Sequence, residues 1–169
     1  MTVAVETALR ALAMRVDKEI ARASSAPSTT QVGGVIKVAV ATEEFLRVLA
    51  TARCDELGIA PNAWVARQGD GRTRSVERAG LQILLGGLSS LLAGPRESPT
   101  RCSRLVAQLD AERSAFERIR RLRNPVAHTA AAIDATTLRA DFLALREAIA
   151  PLVEAIGSAA PSTRPRRGR

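Results

Sequence analysis

Arg123, Asn124 and His128 lie together in the stretch RLRNPVAHTA, and His128 is the only histidine among 169 residues. An imidazole with an unperturbed pKa near about 6.5 takes or gives a proton close to neutrality. A guanidinium offers a planar fork of donors that matches a phosphate. An asparagine can hold either the imidazole or a phosphate oxygen. The set suits cleavage of a phosphodiester. On RNA the nucleophile is the substrate's own 2′-hydroxyl, so the chemistry requires no protein nucleophile and no metal. The plain alternative is a helix end, with Arg123 and Asn124 finishing it before Pro125 and His128 serving as a cap.

Which elements would position these groups? On a helical wheel Leu105, Leu109, Phe116 and Ile119 share one side, and Arg123 continues that side. A guanidinium on an apolar stripe is costly unless it is paired or meets a ligand or partner at an edge. Ser98-Pro99 has the form of an N-cap followed by proline at the first helical position, so this helix is expected from there to about Asn124. Pro125 disfavours α geometry at Asn124. The expectation is a turn after Asn124 that folds His128 back toward Arg123.

Four further helices follow from 3.6-residue periodicity. Thr2 can cap the first, which carries Val5, Leu9, Leu12, Val16 and Ile20 and ends before SSAPSTTQVGG. The second is expected over about Val35–Leu57, with Val38, Phe45, Val48 and Leu49 on its apolar face and Glu43, Glu44 and Arg47 off it. Residues 59–74 form a polar, glycine-bearing loop. Ser75 can cap a third helix holding Leu81, Leu84, Leu85, Leu88 and Leu92. The last runs through Leu138, Phe142, Leu145, Ile149, Leu152 and Ile156, a seam for a neighbouring helix, and stops at Gly157. The expected architecture is all-α, a four- to five-helix bundle over residues 1–157, followed by a disordered basic tail over 158–169.

Composition narrows the function classes. Apolar residues make up 46% and charged residues 25%, an ordinary soluble balance. One tryptophan and three phenylalanines are too few for a module that stacks bases on aromatic rings. Net charge is +8, with 23 arginines against two lysines. The bias toward Arg and Ala points to a GC-rich bacterial or phage genome. Four arginines sit in the tail, and without them the excess halves to +4. A mildly basic body is compatible with a nucleic-acid partner. Cys54 and Cys102, without CxxC spacing, and one histidine do not build a zinc site. Buried free thiols in a reducing cytoplasm are expected instead. No cofactor is implied. LQILLGGLSSLLAG is too short to span a bilayer.

The motif LRNPVAH resembles the signature of HEPN domains, helical bundles whose motif is Arg, four to six residues, then His, often with Asn directly after the Arg. Arg123, Asn124 and His128 occupy those places, and the motif lies between the last two long helices. The resemblance covers residues 1–157, although only this short motif is specific. It implies a metal-independent endoribonuclease active as a homodimer, with motifs of two chains meeting. It further implies a toxin or antiviral-defence setting in which an antitoxin or partner protein is possible. Arg120 and Arg121, beside the motif, are the candidates for holding RNA phosphates. Glu43 and Glu44 are candidates for an acidic group in the site, against a solvated helix face. Two other readings stay open: a non-catalytic helical adaptor, and a basic DNA-binding protein, the latter without helix-turn-helix spacing.

Overall fold

The computed structural model describes residues 3–23, 28–63, 75–92, 100–129 and 134–157, with side chains at all of these except 28–30, 63, 88–92, 125–129 and 157. These residues hold six α-helices: α1 (Val3–Ala23), α2 (Ser28–Glu56), α3 (Leu81–Leu92), α4 (Arg101–Ala111), α5 (Arg113–Thr129) and α6 (Ala135–Gly157). Short 3₁₀ turns cover Pro61–Ala63 and Val76–Arg78, and no strand occurs among the described residues. Thr2, Ser98-Pro99, residues 64–74 and the tail lie outside them.

Local chemistry sets the helix ends. Gly58, at φ 65°, closes α2 with a Schellman pair, in which Ile59 N–H donates to the Cys54 carbonyl at 2.9 Å and Gly58 N–H to that of Asp55 at 3.2 Å. Thr100 caps α4 by accepting from Ser103 N–H at 3.0 Å, so the cap stands two residues beyond the expected Ser98. Asp134 caps α6, accepting from Thr137 N–H at 2.8 Å. Ser75 precedes the 3₁₀ turn at 76–78 without a side-chain cap, and α3 starts at Leu81.

Three expectations are corrected. The second helix begins at Ser28, ahead of the expected Val35, and runs through Gly33 and Gly34. The single helix expected over 98–124 is two, because Glu112 sits at φ −91°, ψ 10° and interrupts the α geometry. Finally, α5 does not stop at Asn124 but continues through Pro125 to Thr129. Proline removes one backbone donor and weakens the helix locally without ending it.

Helix α2 is the central element, packed against α1, α3, α4 and α5, while α6 lies against α1, α4 and α5. All three phenylalanines, Phe45, Phe116 and Phe142, are fully buried. The α6 stripe of Leu138, Phe142, Leu145, Ile149, Leu152 and Ile156 is buried too, so the chain's own helices occupy that seam. Arg101, the first residue of α4, donates to the carbonyl of Ile156 and satisfies the last turn of α6. Among the described residues, no helix is long and apolar enough to cross a membrane.

Candidate active site

Arg123 follows Phe116 and Ile119 along α5, but its side chain is 40% exposed where theirs are buried. The stripe therefore reaches the surface at Arg123. There its Nη1 lies 3.9 Å from Glu43 Oε2 of α2. This is an ion pair at the outer edge of direct contact, and the side chain stays partly open to solvent.

Glu43 gathers three elements. Its Oε1 accepts from Arg47 Nη2, one turn further along α2, at 2.7 Å. Its Oε2 accepts from the backbone N–H of Leu81 at 3.1 Å, at the N-terminus of α3, where the first amides have no partner within the helix. Arg47 Nη2 also donates to the Ala79 carbonyl at 3.2 Å, which fixes the approach to α3. One carboxylate thus serves two guanidinium groups and a helix end. Glu44 pairs with Arg47 as well, so two carboxylates face the two guanidinium groups.

The other predicted residues separate into two groups. In a continuous helix, positions 124 and 128 are one turn apart and stack on one face, about 40° apart, whereas 123 and 128 differ by about 140°. Asn124 is exposed on that face. The expected turn bringing His128 back over Arg123 is replaced by helix, and within one chain the two positions address different sides of α5. Arg121 is also exposed, with no ion pair to a described residue. Arg120 is tied to Glu117 at 2.5 Å and is the less available of the two arginines proposed for RNA. Of the two glutamates, Glu43 joins Arg123. Glu44, 62% exposed, pairs among the described residues with Arg47 alone, at 3.4 Å.

Sequence reasoning missed Arg47, Ala79 and the Leu81 amide. The Glu43–Arg47 spacing of four was available as a helix pair. That this pair would meet α3 and α5 depends on tertiary packing, which no local pattern encodes. Comparison with protein-family models, curated proteins and solved structures gives no match for this chain.

Proposed function

We propose that this chain is a metal-independent endoribonuclease of the HEPN type, built on an HEPN-like helical bundle. The observation that carries the reading is Arg123: a guanidinium held at the surface by Glu43, on the α5 turn that leads into Asn124 and His128. A purely structural arginine at the end of an apolar stripe would turn its donors inward to a buried acceptor. This one stays partly open to solvent.

In the proposed reaction, RNA lies across the last turns of α5. A base takes the proton of the 2′-hydroxyl, and that oxygen attacks the adjacent phosphorus. The bond from phosphorus to the 5′-oxygen breaks, and the departing oxygen takes up a proton. The products are a 2′,3′-cyclic phosphate and a 5′-hydroxyl. His128 carries one of the two protons and Asn124, on the same helical face, orients it. Arg123 stabilises the charge building on the phosphate oxygens, and Glu43 positions Arg123. Because positions 123 and 128 diverge around α5, the phosphate has to bridge the two faces, or a second chain supplies one of them. Arg121 offers an additional phosphate contact. Toxin or defence activity is the setting the motif resemblance implies.

The test is purified protein with a mixed RNA pool in EDTA, with end-group analysis of the products. Cleavage that persists, leaves cyclic phosphate ends and disappears in His128→Ala supports the reading. Equal cleavage by wild type and His128→Ala overturns the mechanism. A salt-dependent shift of duplex DNA without RNA cleavage would favour the DNA-binding alternative.

A further inference from the structure

Five large apolar residues are exposed among the described residues, and four of them stand on α1 and α2: Val3, Met14, Ile36 and Val40. Ile36 and Val40 line a groove of about 420 Å³ between the two helices, floored by the small side chains Ala8 and Ala11. This groove adjoins the candidate site. Glu44 lines its end and also pairs with Arg47 at 3.4 Å. Arg47 pairs in turn with Glu43 at 2.7 Å, and Glu43 reaches Arg123 at 3.9 Å. Around the α2 axis, Ile36, Val40 and Arg47 fall within about 40° of one another. One strip of α2 therefore runs from the groove to the site.

Charge selects the occupant. Lys37 and Arg15 line the end of the groove away from the site. Lys37 is exposed and has no ion pair among the described residues. Two cations there suit a phosphate. The apolar middle suits the face of a flat ring, packed on aliphatic rather than aromatic side chains. Glu44 at the other end repels phosphate, so a nucleic acid meeting it has to present donors. Guanine alone among the four bases sets two adjacent donors, N1–H and the N2 amine, on its Watson–Crick edge. Adenine, cytosine and uracil each set a donor beside an acceptor, which a carboxylate repels. The guanine edge is open only where the strand is unpaired. A carboxylate accepts at about four sites, so Glu44 keeps Arg47 while it accepts from a base.

We propose that this groove holds an unpaired guanine of the RNA whose phosphate lies on Arg123. Glu44 accepts from its N1–H and N2 amine, the ring packs on Ile36 and Val40, and Lys37 and Arg15 hold the phosphate at the far end. Glu44 is thus a specificity-determining residue, and the substrate class is single-stranded RNA with a guanine beside the point of cleavage. The role in cleavage rests on the nuclease reading, whereas guanine binding in the groove does not require that cleavage follow. The occupant lies on the outer face of α1 and α2 and leaves α5 free to meet a second chain.

Fluorescence anisotropy on the full chain tests it, with labelled 2′-O-methyl uridine hexamers that carry a single guanine, inosine or adenine. These oligonucleotides have no free 2′-hydroxyl to attack with, so binding is read without cleavage. Wild type should bind the guanine hexamer about tenfold more tightly than the adenine one, with inosine between them because it lacks the N2 amine. Glu44→Gln should remove that preference without weakening the adenine complex. Lys37→Ala should weaken the guanine and adenine complexes alike, by about threefold, because a phosphate contact carries no sequence information. A wild type that ignores the base, or a Glu44→Gln variant that keeps the guanine preference, would overturn the proposal. Guanine preference without cleavage of any RNA would uphold the groove and remove the nuclease reading. Cleavage of RNA by a protein with no guanine preference would do the opposite.

Discussion

Two arginine–glutamate pairs of helix α2 each reach the start of another helix. At Glu43–Arg47 the carboxylate accepts from the first amide of α3. At Arg53–Glu56 the carboxylate accepts from Thr100 Oγ1 at 2.7 Å, and Thr100 caps α4. Both are carboxylate links between α2 and a helix N-terminus. They differ in what else arrives. The Arg53 side chain is 7% exposed, and its Nη1 donates to Glu56 at 2.9 Å, so this cluster is closed. The Glu43 cluster receives a second guanidinium, Arg123, with 40% of its side chain exposed. The same device is structural where it is sealed and becomes a candidate for chemistry where a second guanidinium reaches the surface.

The largest expected effect separates the two arginines. Arg123→Ala should lower RNA cleavage by about 10²–10³-fold, the usual cost of losing a positioned donor to developing charge, while the melting temperature stays near wild type. Arg53→Ala should do the reverse, lowering the melting temperature while cleavage by the folded fraction is unchanged. Arg123→Lys should restore little, because the planar fork is lost. Matched effects of Arg123→Ala and Arg53→Ala on both readouts would erase the distinction.

The second effect is on stability. Glu56→Ala removes one carboxylate from the buried Arg53 and the acceptor of the Thr100 hydroxyl, and should cost about 2 kcal/mol in urea unfolding. Glu43→Ala, at a more open site, should cost nearer about 1 kcal/mol. Equal costs would mean that both pairs are structural.

Acid should find the closed cluster as well. Burial pushes the Glu56 carboxyl up, but hydrogen bonds from Thr100, Arg53 and Cys102, with the charge of Arg53, outweigh it and hold the group below its ordinary value. A carboxylate whose folded pKa is depressed stabilises the fold above its unfolded pKa, and that contribution drains as pH falls through the lower folded value. Stability measured downward from about pH 5 should therefore fall less steeply in Glu56→Gln than in wild type. Parallel curves would remove Glu56 from the acid response.

The smallest effect concerns residues 158–169. Deleting them should leave the melting temperature unmoved. It should also reduce the slope of RNA affinity against salt by up to about 0.7 per arginine lost. A large drop in melting temperature would instead show that the tail packs on the helices.

Much of the helical pattern was legible in the sequence. The α6 stripe from Leu138 to Ile156 is buried as its periodicity indicates, and Gly157 is its last residue. The break at Glu112 was not legible, because no glycine or proline marks it and the apolar stripe runs on across it from Leu109 to Phe116. Pro125 misled in the opposite direction: its local bias against α geometry at Asn124 is a modest cost, and α5 absorbs it. Residue types, spacing and the family resemblance singled out Arg123, Asn124 and His128 as candidates. The anchoring of Arg123 could not be read from it, since Glu43 lies eighty residues away in sequence and meets α5 only through packing.

The two cysteines give the closed cluster a further use. Burial, and then the neighbouring Glu56, pushes the Cys102 thiol up to about 11, and burial also raises that of Cys54. At neutral pH only about one Cys102 in ten thousand is a thiolate, the form that reacts. An alkylating reagent must therefore wait for α4 to part from α2 before it finds a reactive sulfur. The rate of thiol labelling becomes a clock for that opening, ticking inside the native chain with no added probe.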